Sequence, residues 1–146
     1  MEPNLLSLPG GRKVVFAPFG QTVDFDLPRP FVALLPAASA ADSTLAEAII
    51  GPLIELGCIE VCCVGPNAEL MHDRLDIVVE TAGRLEIITT WFGDEHRASE
   101  YMLFAAGGGT ASILAMVLDQ PRIVDRLKKA ALETLGAKRR ATGSET

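Results

Sequence analysis

The sequence predicts a three-layer α/β domain, with a mostly parallel sheet and helices on both faces, like Rossmann-like and flavodoxin-like proteins. Short apolar runs alternate with segments of helical spacing, and the connections between them are short. The stretch Cys58–Asn67 predicts a central strand that runs into a tight turn and the next helix. Because 49% of the residues are hydrophobic and only 5% aromatic, we expect an aliphatic core.

An edge hairpin is expected at the start of the domain. Its two strands are Lys13–Ala17 and Thr22–Leu27, joined by the turn signal Pro18–Gln21. Further strands are predicted at residues 31–35, 58–64, 85–90 and 113–118, and helices at 44–56, 68–82, 95–106 and 121–135. The sequence thus predicts a single domain over residues 1–136 and a disordered basic and polar tail over 137–146.

The charge and composition of the chain disfavour nucleic acids and membranes as partners. Residues 1–121 hold six basic and sixteen acidic side chains, which disfavours nucleic acid as the main partner. No apolar run approaches the roughly 20 residues of a membrane span, and no secretory signal is apparent. The three cysteines, Cys58, Cys62 and Cys63, crowd into one strand and predict free thiols in a reducing cytoplasm.

Parallel sheets bind ligands at the carboxyl ends of their strands, which selects a short list of loops. The turn Gly65–Asn67 lies at this edge, and we expect Gly65 and Asn67 to contact a ligand. The turn has no glycine-rich nucleotide signature, so a nucleotide or flavin module is only an alternative prediction. The glycines Gly107–Gly109 precede a strand and therefore belong to the opposite edge.

The loop after the fifth predicted strand, 85–90, contains the largest number of reactive and polar side chains. Thr90, Trp91 and Phe92 are predicted to contact a ligand there. In a catalytic alternative, Cys63 is the nucleophile, His96 a general acid and base, and Asp94 the residue that orients His96. In the simpler interpretation, Asp94 caps the next helix and the buried cysteines are inert.

No metal site is predicted. The C-x-x-x-C-C spacing on a strand does not suit zinc, which prefers paired C-x-x-C ligands in structural sites. His72 and Asp76 share a helix face, and their surroundings predict an ordinary solvated surface.

The residues Val61-Cys62-Cys63, together with Thr89-Thr90-Trp91 and the acids that follow, resemble an uncharacterised family of small bacterial α/β proteins. That resemblance implies no activity or cofactor. The leading hypothesis is therefore a non-catalytic domain that binds a partner protein, a second copy of itself or a small ligand at the carboxyl edge. A small cysteine-dependent hydrolase or transferase and a nucleotide- or flavin-binding module are the alternatives.

Overall fold

The computed structural model describes residues 4–20 and 27–143, with side chains described as far as residue 133. Within these residues one sheet has six strands, in the order β1-β2-β6-β3-β4-β5. The strands are β1 (Leu5–Ser7), β2 (Lys13–Phe16), β3 (Phe31–Pro36), β4 (Cys58–Val64), β5 (Ile88–Phe92) and β6 (Ser112–Ala115). The helices are α1 (Ala41–Glu55), α2 (Ala68–Thr81), α3 (Glu95–Phe104) and α4 (Pro121–Gly143). Every strand pair is parallel except β1 with β2.

The helices cover both faces of the sheet, as predicted. α1 and α2 pack on one face, with Ile50 and Leu75 fully buried there. α3 and α4 pack on the other, with Met102 and Leu127 fully buried. Burying each of these side chains stabilises the fold by roughly 1.5–3 kcal/mol. The core therefore consists of two aliphatic layers, one on each face of the sheet. The three-layer α/β prediction is confirmed.

The predicted central strand β4 is an interior strand, paired with β3 and β5, but it lies next to the edge strand β5, and β6 and β3 are the central pair of the described sheet. Val61 and Cys63 face α1 and α2, whereas Cys62 and Val64 face α3 and α4. These four side chains are all at most 1% exposed. A parallel strand that is covered on both faces must be apolar at successive positions, and this is the pattern that the sequence showed.

An antiparallel pair of strands is present at the start of the domain, but β2 pairs there with β1 instead of with the predicted strand Thr22–Leu27. β2 pairs with β1 in antiparallel fashion on one side and with β6 in parallel fashion on the other. Both edges of β2 are therefore occupied, and the predicted pairing with Thr22–Leu27 has no free edge to use. Most of that segment lies outside the described residues. A three-residue strand such as β1 carries too little pattern to be predicted.

Two element boundaries differ from the prediction. β5 begins at Ile88, three residues late, because Leu85 belongs to a turn in which the Ile87 N–H donates to the Arg84 carbonyl over 3.2 Å. The backbone of α4 continues to Gly143, beyond the predicted end at Leu135, and the added residues 137–141 are good helix formers. The division into a domain and a tail from residue 137 stays a prediction. Within the described residues, no helix is both long and apolar enough to span a bilayer.

Candidate functional site

The connections that leave the neighbouring strands β3 and β6 lead to opposite faces of the sheet. β3 continues into α1 on one face, whereas β6 continues into α4 on the other. Where connections diverge in this way, a crevice opens at the carboxyl ends of the strands. The structure has a cleft of about 480 Å³ at this place.

Short and apolar residues form most of the cleft wall. They come from the loops after β3, β4 and β5 and from the start of α4: Pro36, Ala38, Val64, Gly65, Pro66, Gly93, Pro121 and Ile123. Three polar side chains, Glu95, Gln120 and Arg122, complete the lining. A largely apolar wall with a few polar groups is typical of small-molecule sites, and the volume lies within their usual range.

Gly65 lines the cleft, while its predicted contact with a ligand stays a prediction. Its backbone explains why glycine occupies this turn. Its φ is +129°, and an added Cβ would lie 2.7 Å from the carbonyl oxygen of Ala37. Its N–H donates to the Phe92 carbonyl over 3.0 Å. Gly65 therefore lets the loops after β3, β4 and β5 approach one another closely, which shapes one wall of the cleft.

Asn67 does not line the cleft. Its side-chain amide donates to the Ala38 carbonyl over 3.2 Å, and its backbone N–H donates to the Ala37 carbonyl over 2.9 Å. Both hydrogen bonds tie the start of α2 to the loop after β3. Its amide thus holds a cleft-forming loop in place, and the predicted contact with a ligand stays a prediction.

Asp94 and Glu95 organise the ends of two helices. The Asp94 carboxylate accepts a hydrogen bond from the His96 N–H over 2.8 Å, so Asp94 is the N-cap of α3. Glu95 accepts a charge-assisted hydrogen bond from the Arg122 guanidinium in the first turn of α4. This ion pair joins the start of α3 to the start of α4 across the cleft.

The structure does not bring the predicted catalytic pair together. Cys63 is fully buried on the face covered by α1 and α2, whereas α3, which carries His96, packs on the opposite face. Burial also raises the pKa of the Cys63 thiol well above its ordinary value, which opposes thiolate formation. His96 is half exposed, and its Nε2 lies 3.6 Å from a Glu100 carboxylate oxygen.

The predicted ligand contacts Thr90, Trp91 and Phe92 belong to β5, and their side chains have separate surroundings. Phe92 packs on Tyr101 with ring centroids 5.2 Å apart. Thr90 donates its hydroxyl to Glu60 over 3.3 Å. Trp91 is 42% exposed. None of the three lines the cleft.

Glu60 is the residue that the sequence analysis missed. It lies in β4 and is only 2% exposed, on the face covered by α3. Its Oε2 accepts hydrogen bonds from the hydroxyls of Tyr101 over 2.5 Å and Thr90 over 3.3 Å. Its Oε1 accepts one from the Gly107 N–H over 3.1 Å.

The Glu60 cluster joins β5, α3 and the glycine turn before β6 to β4. Burial and the adjacent Glu60 carboxylate raise the pKa of the Tyr101 hydroxyl, because both disfavour the phenolate. A signal for this cluster was available in the sequence: a charged residue inside a strand that is covered on both faces requires buried partners.

Among the described residues, no three His, Cys, Asp or Glu side chains gather closely enough to hold a metal ion. His72 contacts Asp73 through Nδ1 at 3.0 Å and Asp76 through Nε2 at 3.6 Å. All three lie on the surface of α2.

A family model described as a domain of unknown function, DUF7684, matches residues 16–130, which is more than half of the chain. The chain belongs to this family. The matched part of the DUF7684 domain extends from the end of β2 into α4 and includes every residue that lines the cleft. No curated protein and no solved structure matches the chain. The predicted resemblance to an uncharacterised family is confirmed, and it brings no activity with it.

Proposed function

We propose that this DUF7684 domain binds a small molecule in the cleft at the carboxyl edge of its sheet. The observation that carries the proposal is the cleft of about 480 Å³ at the point where the connections of β3 and β6 diverge. This is the place where open parallel sheets bind their ligands. Gly65 and Gly93 line the cleft without contributing side chains to it.

The lining indicates the chemistry of the ligand. Prolines, alanine, valine and isoleucine offer an apolar surface, whereas Gln120 and the Glu95–Arg122 pair offer hydrogen-bond donors and acceptors at one side. A metabolite with a largely apolar body and at least one polar or charged group suits this arrangement. Among the described residues that line the cleft, Glu95 is the one carboxylate, none is a histidine or cysteine, and Glu95 already pairs with Arg122. This favours binding over catalysis.

Thermal unfolding across a panel of metabolites, nucleotides and flavins tests the proposal. A ligand present at a hundred times its dissociation constant adds about 2.7 kcal/mol to the free energy of unfolding. For a domain of this size the unfolding temperature should rise by roughly 5–10 °C. A panel without any shift would contradict the proposal for the compound classes tested.

We predict that Gly93→Phe abolishes the ligand-dependent rise in unfolding temperature. Gly93 lines the cleft, its φ is not in the left-handed region, and an added Cβ would meet no atom within 4 Å. The phenyl ring is therefore expected to occupy the cleft entrance without straining the backbone. Ligand binding by calorimetry should be lost, while the unfolding temperature without ligand stays within a few degrees of the wild type.

Gly51→Phe is the matched control. Gly51 lies on the exposed side of α1, and an added Cβ there also meets no atom within 4 Å. The same chemical change outside the cleft should leave the ligand affinity intact. Equal affinities of the two variants would place the ligand elsewhere on the domain.

The edge of the sheet at β5 supports a second candidate function, self-association. β5 has a neighbour on one side only within the described residues, and the exposed side chains Trp91 and Ile88 lie on it, at 42% and 53%. Exposed edge strands with apolar side chains pair readily with other chains, and two copies of one edge can pair around a two-fold axis.

We predict that Trp91→Lys raises the dimer dissociation constant about thirtyfold or more, as expected for a central aromatic contact. Light scattering after size-exclusion chromatography over a concentration series measures this. Leu132→Lys is the control, since Leu132 is 64% exposed on α4. A wild-type protein that stays monomeric at every concentration would refute this second candidate.

A further inference from the structure

Arg12 occupies an unusual position at the amino edge of the sheet, just before β2. Its Nε donates to the Ala111 carbonyl over 3.0 Å, and its Nη1 donates to the Leu103 carbonyl over 2.8 Å. These two hydrogen bonds fix the plane of the guanidinium. The remaining nitrogen, Nη2, is buried and has no hydrogen-bond partner.

The charge of Arg12 is also uncompensated in the part of the chain that the structure describes. No described carboxylate lies within 4.0 Å of its guanidinium. Burial lowers the pKa of Arg12, and burial is the one cause of that shift. A partly buried cation without a counter-ion carries a desolvation cost that an anion would offset.

A cavity of about 180 Å³ adjoins Arg12 at the amino ends of β2, β3 and β6. A second arginine, Arg29, lines the same cavity, together with the hydroxyl residues Thr110 and Ser112 and the turn Gly10–Gly11. None of the described residues that line it is acidic. Two cations and two hydroxyl side chains around one small cavity form a surrounding that suits an anion.

We propose that this amino-edge cavity binds an anionic group, a phosphate or a carboxylate, held between Arg12 and Arg29. A guanidinium offers donors in a planar fork that matches both of these anions, and such charge-assisted hydrogen bonds are about twice as strong as neutral ones. The anion supplies the negative charge that the described lining of the cavity lacks. The site lies at the edge opposite to the carboxyl-edge cleft, so it does not depend on the ligand proposed there.

Titration of the uniformly ¹⁵N-labelled full chain with sodium phosphate, and separately with sodium acetate, tests the site by NMR. Sodium chloride at the same ionic strength is the reference. We expect saturable shifts of the amide signals of Gly10–Arg12 and Thr110 and of the Arg12 side-chain Nε–H signal. The Gly93 amide, in the other cleft, should not move. Tighter phosphate binding identifies a phosphate site, and equal or tighter acetate binding identifies a carboxylate site.

Arg29→Gln is the first variant, because replacing Arg12 would leave the Leu103 and Ala111 carbonyls without their donor and endanger the fold. Loss of one charged hydrogen-bond donor should weaken binding at least about tenfold. Arg97→Gln removes an arginine that is likewise exposed, but on α3, and should bind as the wild type does. The proposal is overturned if neither anion gives saturable shifts, if chloride gives the same shifts, or if Arg29→Gln binds as tightly as the wild type.

Discussion

Raising the pH from 7 to 10 under reducing conditions is expected to lower the free energy of unfolding by about 4 kcal/mol. Burial raises the pKa of Cys58 and of Cys62 to about 12, and that of Cys63 still further. At a pH between the ordinary thiol pKa and these raised values, the cysteines of the unfolded chain lose their protons, whereas those of the folded chain keep them. The stability is therefore complete below the ordinary pKa and falls as the pH rises above it. Urea unfolding at a series of pH values measures the loss.

The variant Cys62→Ala tests whether the buried thiols cause the loss of stability at alkaline pH. The variant starts from a lower stability, because a small cavity replaces the sulfur. Its further loss between pH 7 and pH 10 should be about a third smaller than that of the wild type, since two buried thiols remain. A free energy of unfolding that does not change over this pH range would show that the cysteines are not buried as the structure has them.

Glu60→Leu is expected to lower the free energy of unfolding by roughly 3 kcal/mol. The leucine fills the same place in the sheet but accepts no hydrogen bond. It leaves the buried Gly107 N–H without a partner and removes the acceptor of the Tyr101 and Thr90 hydroxyls. Glu60→Gln should cost only about 1 kcal/mol, because an amide still accepts from Gly107 and the two hydroxyls can turn to accept from its NH₂ group. Chemical denaturation at pH 7 measures both values.

Glu80→Leu provides the matched control for Glu60→Leu. Glu80 is exposed on α2, so the same replacement there should change the stability by no more than about 0.5 kcal/mol. Tyr101→Phe gives an independent check, since it removes one of the three donors to Glu60. If Glu60→Leu proves as stable as the wild type, the three hydrogen bonds make no net contribution to the free energy of unfolding. Stability would then not explain the buried carboxylate.

The sequence by itself determined the fold class, because the signals for it are local. Apolar runs at the positions of β3 and β4 predicted strands covered on both faces. β3 is buried at every residue and β4 at every residue except Ile59. Asp94 predicted the start of α3 through its capping hydrogen bond, which spans only two residues. The place of a ligand cleft at the carboxyl edge followed from the parallel topology, and the cleft lies there.

Only the tertiary structure decided which side chains meet. The donors to Glu60 lie 30, 41 and 47 residues away along the chain, and the carbonyls that hold Arg12 lie 91 and 99 residues away. The separation of Cys63 from His96 likewise depends on which face of the sheet each helix covers. The physical reason is the same in each case. Periodicity and capping depend on neighbours along the chain, whereas buried polar partners are chosen by the packing of distant segments.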